Sequence, residues 1–323
     1  MDKRFVKNKF NDLKTMLKKT FPVLILTSCF LFLISFKTAP AHYFQKPALA
    51  TIVIDAGHGG KDAGAKGSFS YEKDITLAIA LKLQKALQDA MPDVNIVMTR
   101  TTDVFDHVTV KAAKANAAKG DLFISIHCDA GQAVRHSEVT GSKTQVYYTG
   151  KGKSRKKHTR KVPTYRYWTT PSPAKGASTY IWAADRSDNK ELAMRENESI
   201  YIDTTLAKQI GDFDPDSPEG RIFYSLKTQR YFQQSASLAL TVEEEFSNIG
   251  RAVRDALQRQ IGIWVLQATA MPSILVETGY ITNPEEEEYL NSEKGQLETA
   301  EVITKAVVRY RYLLEHPNTE AGN

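Results

Sequence analysis

Short apolar runs alternate along this chain with longer stretches of helical spacing. Residues 48–55 (ALATIVID) are almost continuously apolar and end in Gly57-His58-Gly59-Gly60, the pattern of a strand buried on both faces that opens into a tight loop. Over 71–91, Ile75, Ile79, Leu83 and Leu87 recur every four residues until Pro92 stops them, which predicts a helix. A second strand is predicted at 94–99, an Ala/Lys helix at 108–119 closed by Gly120, and a third buried strand at 122–126 ending at His127. Such alternation predicts an α/β fold, a single domain on a mostly parallel central sheet flanked by helices. In sheets of this kind ligands gather at the carboxyl ends of the strands.

The rhythm breaks over 131–178, read as a long loop or excursion with a short strand at 146–148. Its run of Lys and Arg between Lys151 and Lys161 reads either as solvated surface or as a contact for an anionic polymer. A strand follows at 179–182, then helices at about 188–206 and 223–246, the second with Leu226, Phe232, Leu238, Val242 and Phe246 on one face. Residues 262–266 and 273–277 return to strand character. Asn283-Pro284 followed by three Glu is a helix start: Asn caps, Pro fits the first turn, and acids face the positive end of the dipole. A last helix at 297–314 closes a domain expected over 50–315, with 316–323 as a tail. Two helices between His127 and Glu277, inside an insertion of about 131–255, are more than a compact connection requires.

Charge separates the amino terminus from the rest. The chain has 323 residues and a formal charge of +6, but residues 1–41 hold eight Lys/Arg against Asp2 and Asp12. Beyond them 35 basic and 35 acidic residues balance, so no global field for nucleic acid is expected. The basic stretch, the apolar run at 21–36 and Ala39-Pro40-Ala41 match a cleavable signal peptide over 1–41, with a linker at 42–49 and a periplasmic destination. Two alternatives stand beside it. One is a retained membrane anchor, although the run is short against the roughly 20 residues a span needs. The other is lipidation at Cys29 in Leu26-Thr27-Ser28-Cys29, although the apolar run continues past that cysteine. After cleavage only Cys128 remains, so no internal disulfide can form.

Three polar residues stand where buried strands end or a helix begins: His58 after the first strand, Glu72 at the start of the first helix behind a capping Ser70, and His127 at the end of the third strand. Two imidazoles and a carboxylate leave a fourth tetrahedral position for water, the pattern of a catalytic zinc site. Each also has a plainer explanation: a hydrogen-bonded loop histidine, a satisfied strand-end histidine, a glutamate facing a helix dipole. Cys128 points away from His127 by strand alternation and reads as packing.

The surrounding residues resemble a known family. Ile54-Asp55-Ala56-Gly57-His58-Gly59-Gly60, with Asp62 and Gly64-Ala65 after it, is similar to the first motif of the zinc-dependent N-acetylmuramoyl-L-alanine amidases. Tyr71-Glu72-Lys73-Asp74 matches their glutamate ligand, and Asp121-Leu122-Phe123-Ile124-Ser125-Ile126-His127 their second histidine motif. The segment from Pro272 through Val276-Glu277-Thr278-Gly279-Tyr280 to Asn283 matches the closing strand with its catalytic glutamate. The likeness runs from about 50 to 314, with four motifs in order. Two departures, Lys111 where the family often has Arg and His127-Cys128-Asp129-Ala130 where it often has His-x-Asn-Ala, bear on substrate contacts rather than on the metal.

The resemblance implies a Zn2+ amidase that cuts between N-acetylmuramic acid and L-alanine of peptidoglycan, with His58, Glu72 and His127 on the metal. Glu277 then shuttles the proton from water to the leaving nitrogen. It also implies a regulatory helical insertion. Ala193-Met194-Arg195-Glu196-Asn197 fits the helix whose glutamate takes the open metal position in cell-division amidases, which makes Glu196 the candidate blocking ligand and a LytM-type protein the activator. The rivals are a zinc peptidase acting within the stem peptide and a catalytically silent wall-binding module.

Overall fold

A computed structural model describes residues 49–182, 218–258 and 263–316. The leader, the helix expected at 188–206 and Glu196 lie outside these described residues. The buried hydrophobic runs form one six-stranded sheet. Its strands are β1 (Thr51–Ala56), β2 (Asn95–Met98), β3 (Leu122–Asp129), β6 (Ala177–Ile181), β7 (Val253–Gln258) and β8 (Ser273–Tyr280). The spatial order is β2-β1-β3-β8-β6-β7. The first four are mutually parallel, β6 runs antiparallel to β8, and β7 follows β6. The expected mostly parallel α/β sheet is what forms.

Alternation along the strands sends two apolar sets to opposite faces. Ile52, Ile54, Ile124, Ile126 and Val276 pack in one core with the periodic residues of α1 (Glu72–Ala90), α6 (Glu293–Glu315) and the second half of α3 (Pro218–Asn248). Val53, Phe123 and Leu275 face the other core with α2 (Val108–Ala117) and α4 (Trp264–Ala268). Leu238, Val242 and Phe246 of α3 are fully buried, so this half of the helix is a layer of the domain. Leu226 on the same helix is instead exposed, because at about 3.6 residues per turn it falls on the side opposite the buried Thr228, Leu238 and Val242. The cap at Asn283 forms as expected: its side chain accepts from the amides of Glu285 and Glu286 at the start of α5 (Pro284–Asn291).

Two local readings change. The described part of the run at 262–266 is not a strand: α4 begins at Trp264, and a short apolar run does not distinguish a buried strand from a buried helical turn. Strand β7 lies just before it. Residues 131–178 are no loose excursion but an antiparallel ribbon of β4 (Val134–Thr149) and β5 (Lys156–Thr170), joined by a 3-10 turn. Among the described residues no helix is long and apolar enough to cross a membrane.

Candidate metal centre

The strand-end edge brings together the three residues singled out from sequence. After β1 the chain turns through Gly57 into His58, whose φ of 57° is a left-handed conformation that non-glycine residues rarely hold. Two glycines make the room. A Cβ at Gly57 would sit 2.5 Å from the His127 ring, and Gly64, at φ +65°, would place one 2.5 Å from a Glu72 carboxylate oxygen. His58 Nδ1 bonds Asp62 Oδ2 at 2.9 Å, which fixes the ring and aims Nε2 at Glu72 Oε2, 3.1 Å away. On the other side His127 Nδ1 lies 2.9 Å from Glu72 Oε1.

Glu72 opens α1 and is buried. Its carboxylate also accepts the amides of Ala65 at 2.8 Å and Cys128 at 3.1 Å, so both oxygens are oriented by backbone. Burial alone would raise this carboxyl, but hydrogen bonds and charge from His127 and His58 outweigh it and hold the group well below the usual range. Burial likewise disfavours the His58 cation, yet Glu72 and then Asp62 push it up to about 9. One donor atom from each of His58, Glu72 and His127 lies within 4.8 Å of the others, an arrangement that could hold a metal ion.

Glu277 reaches this edge through the sheet. In the parallel β3/β8 pairing it is the register partner of His127, so the two occupy one face on neighbouring strands. It is 6% exposed, which excludes a role as a surface-loop glutamate. Cys128 turns into the core on the opposite face, as alternation requires. Ser70 is not the cap of α1: Tyr71 takes that position without a side-chain bond, and Ser70 donates to Glu287 instead.

Both departures from the family pattern serve the backbone. Lys111 is buried, pairs with Asp55 at 2.9 Å and donates to the Ala56 carbonyl at 2.6 Å. Asp55 further accepts from Thr99 at 2.6 Å and Ser125 at 2.8 Å. Burial raises this carboxyl, but the Lys111 charge and the bond from Thr99 more than offset it and leave it lowered. The lysine therefore props the end of β1 from beneath and is no substrate contact. Asp129 accepts from the Ala130 amide at 2.8 Å, a local turn.

Sequence reasoning missed two clamps. Arg100, just past β2, donates to the carbonyls of Ala56, Gly57 and Lys73, pinning the His58 loop to α1. Its one signal was a charge directly after a predicted strand. Glu287 was read only as a dipole partner; it receives the amides of Ser68, Phe69 and Ser70 and both serine hydroxyls. That grip is long-range, and nothing local in the sequence announces it.

Comparison with known proteins identifies a family. A family model described as N-acetylmuramoyl-L-alanine amidase matches residues 52–309. The chain is 30% identical over 260 residues to the amidase AmiC of Escherichia coli, covering 80% of this chain and 52% of that protein. It is 29% identical over 289 residues to the probable amidase AmiB of Haemophilus influenzae, covering 87% of this chain and 56% of the relative. The chain thus spans about half the length of these curated relatives. Among solved structures, an N-acetylmuramoyl-L-alanine amidase from Clostridium difficile superposes with a TM-score of 0.50 at 25% identity, covering 80% of this chain and 95% of that one.

Proposed function

The chain belongs to the N-acetylmuramoyl-L-alanine amidase family, and from that premise we propose that it is a zinc hydrolase cutting the amide between N-acetylmuramic acid and L-alanine in peptidoglycan. The observation that carries this reading is the convergence of His58, Glu72 and His127 at the edge where Glu277 sits beside His127. The donor set fits zinc: two imidazole nitrogens and one carboxylate, donors that zinc takes at about 2.0–2.2 Å, with each side chain fixed by a further bond or by packing. When bound, zinc would polarise the scissile carbonyl and acidify water toward neutral pH.

The chain's own groups do the rest. Asp62 and the backbone amides of Ala65 and Cys128 hold His58 and Glu72 in place. Glu277 takes a proton from the attacking water, whose oxygen joins the lactyl carbonyl carbon. As the C–N bond breaks, Glu277 delivers that proton to the departing alanine nitrogen. A wall-binding module without catalysis would have no need of the shuttle. A stem peptidase differs in its products. Purified protein on sacculi is expected to release stem peptides with a free L-alanine amine, to stop on chelation and to restart with zinc. Cuts within the stem would reassign the substrate bond.

Two further parts of the reading concern its setting. The leader, with Ala39-Pro40-Ala41 behind its apolar run, supports export to the periplasm, and mature protein is expected to begin after Ala41. Recovery of the intact leader, or of lipid on Cys29, would replace that with an anchor. Glu196 is the proposed blocking ligand, released by a LytM-type activator. Glu196→Ala is expected to raise hydrolysis of sacculi several-fold without an activator and with metal content unchanged; equal or lower activity removes the block from the proposal.

A further inference from the structure

The ribbon of β4 and β5 is not explained by the fold or the metal centre. None of its strand residues is buried. Strands of 16 and 15 residues run about 50 Å at ~3.4 Å per residue. A two-stranded ribbon open on both faces is marginal in water, so its residues are not chosen for packing.

Its charge is segregated from the rest. From Val134 to Thr170 there are ten Lys/Arg and one acid, Glu138. The remaining chain beyond residue 41 holds 25 basic and 34 acidic residues. A basic arm therefore stands on an acidic body. Lysine alone can guard an exposed strand edge against aggregation, but mixed charges would serve that purpose equally well. The near absence of acid asks for an anionic partner.

Aromatic rings are interleaved with the cations. The Arg160 guanidinium lies over Tyr147 at 5.6 Å and that of Arg166 over Trp168 at 5.5 Å, while Arg155 covers Tyr148 at 4.1 Å. Tyr167 and Tyr148 are 74% and 51% exposed. By register, Arg160, Tyr147 and Trp168 share one face; Lys157, Lys161, Tyr148 and Tyr167 share the other. A lipid surface meets one face of a ribbon, whereas a polymer mesh can engage both. Sugar rings offer apolar faces for such aromatics, and stem peptides carry carboxylates for the cations. The ribbon also begins five residues after β3 ends, the strand that delivers His127.

Resting on the amidase reading above, we propose that the ribbon is a grip for the carboxylate-bearing glycan polymer itself, tethering the enzyme to the wall it cuts. The test uses the full chain and two variants. One reverses four exposed tip charges (Lys156→Glu, Lys157→Glu, Arg160→Glu, Lys161→Glu); the other removes two exposed rings (Tyr148→Ser, Tyr167→Ser). Co-sedimentation with sacculi, and with vesicles of anionic phospholipid, is measured beside kcat/KM on sacculi and on a short soluble muramoyl peptide. Charge reversal is expected to weaken sacculus binding about tenfold or more, and the ring variant severalfold. Both should lower the ratio of sacculus to soluble-fragment kcat/KM in step, with vesicle binding absent throughout. Unchanged sacculus binding overturns the grip. So does charge-dependent binding to vesicles with sacculus binding unaltered, which makes the arm a membrane contact. If neither wild type nor Glu196→Ala cuts the soluble fragment, the amidase reading falls, while sedimentation still tests the grip.

Discussion

A carboxylate at the end of a buried strand can tie down backbone or move protons, and Glu277 can be tested for which. It is nearly buried and in register with His127. Glu277→Gln keeps the shape and removes the proton acceptor. The variant is expected to retain fold and metal while turnover falls about 10²- to 10⁴-fold, the usual worth of a general acid–base group. Metal content and hydrolysis must be read on the same sample, with His127→Ala as the contrasting variant that loses metal. A Glu277→Gln enzyme at wild-type rate would assign the shuttle elsewhere. Lys111 makes the opposite case. Lys111→Met strands the buried Asp55 carboxylate, and chemical denaturation should show a loss of about 3–5 kcal/mol. Pairing it with Asp55→Asn should recover much of that, since the cost is an uncompensated charge. His58, Glu72 and His127 were legible because each stands at the end or start of a strongly patterned element. Arg100 was not, because it donates to backbone carbonyls, which no side-chain pattern records, and Lys111 was not, because its Asp55 partner lies far away along the chain.

Among elements, the long periodic ones were readable and the short or two-sided ones were not. Helices α1, α3, α5 and α6 and strands β1, β2, β3 and β8 follow from spacing, caps and β-branched runs. Strand β7 and helix α4 do not, because runs of five or six residues lack a decisive period. The ribbon escaped because its alternation is between polar and aromatic groups, with no apolar face to mark a strand. The contact that joins α5 to the loop before α1 is testable by pH. Burial raises the Glu287 carboxyl, yet the bonds from residues 68–70 outweigh it and hold it at about 2. A carboxyl depressed in the folded state adds stability above its unfolded value near 4.3, and that gain is lost as pH falls toward 2. Glu287→Gln should therefore cost on the order of 2 kcal/mol at neutral pH. The gap between variant and wild type should close between about pH 4.5 and 2. A gap that stays constant across that window would mean the loop is held by something else.

At the scale of the whole molecule, composition gave the neutral body and the single thiol beyond the leader, but not where the charge sits. Segregation of basic residues into one ribbon is visible only once the ribbon is. The thiol offers a reading of global stability. Cys128 is 2% exposed, it packs in the core shared by α1, α3 and α6, and its amide bonds Glu72. With no second cysteine beyond the leader, reductant should leave the melting temperature of the mature chain unchanged. A bulky alkylating reagent can reach the thiol only when this core opens, and opening there separates Glu72 from both histidines. Metal that binds the folded state alone multiplies the closed population by one plus the ratio of free metal to Kd. At free zinc about a hundredfold above Kd, alkylation should slow about a hundredfold, equivalent to roughly 2.7 kcal/mol of added stability. The rate should also track unfolding measured by circular dichroism across a zinc series. If alkylation proceeds at a zinc-independent rate, Cys128 is reached through a local opening that leaves the ligands together. The thiol would then report on one layer of the sheet and not on the whole domain.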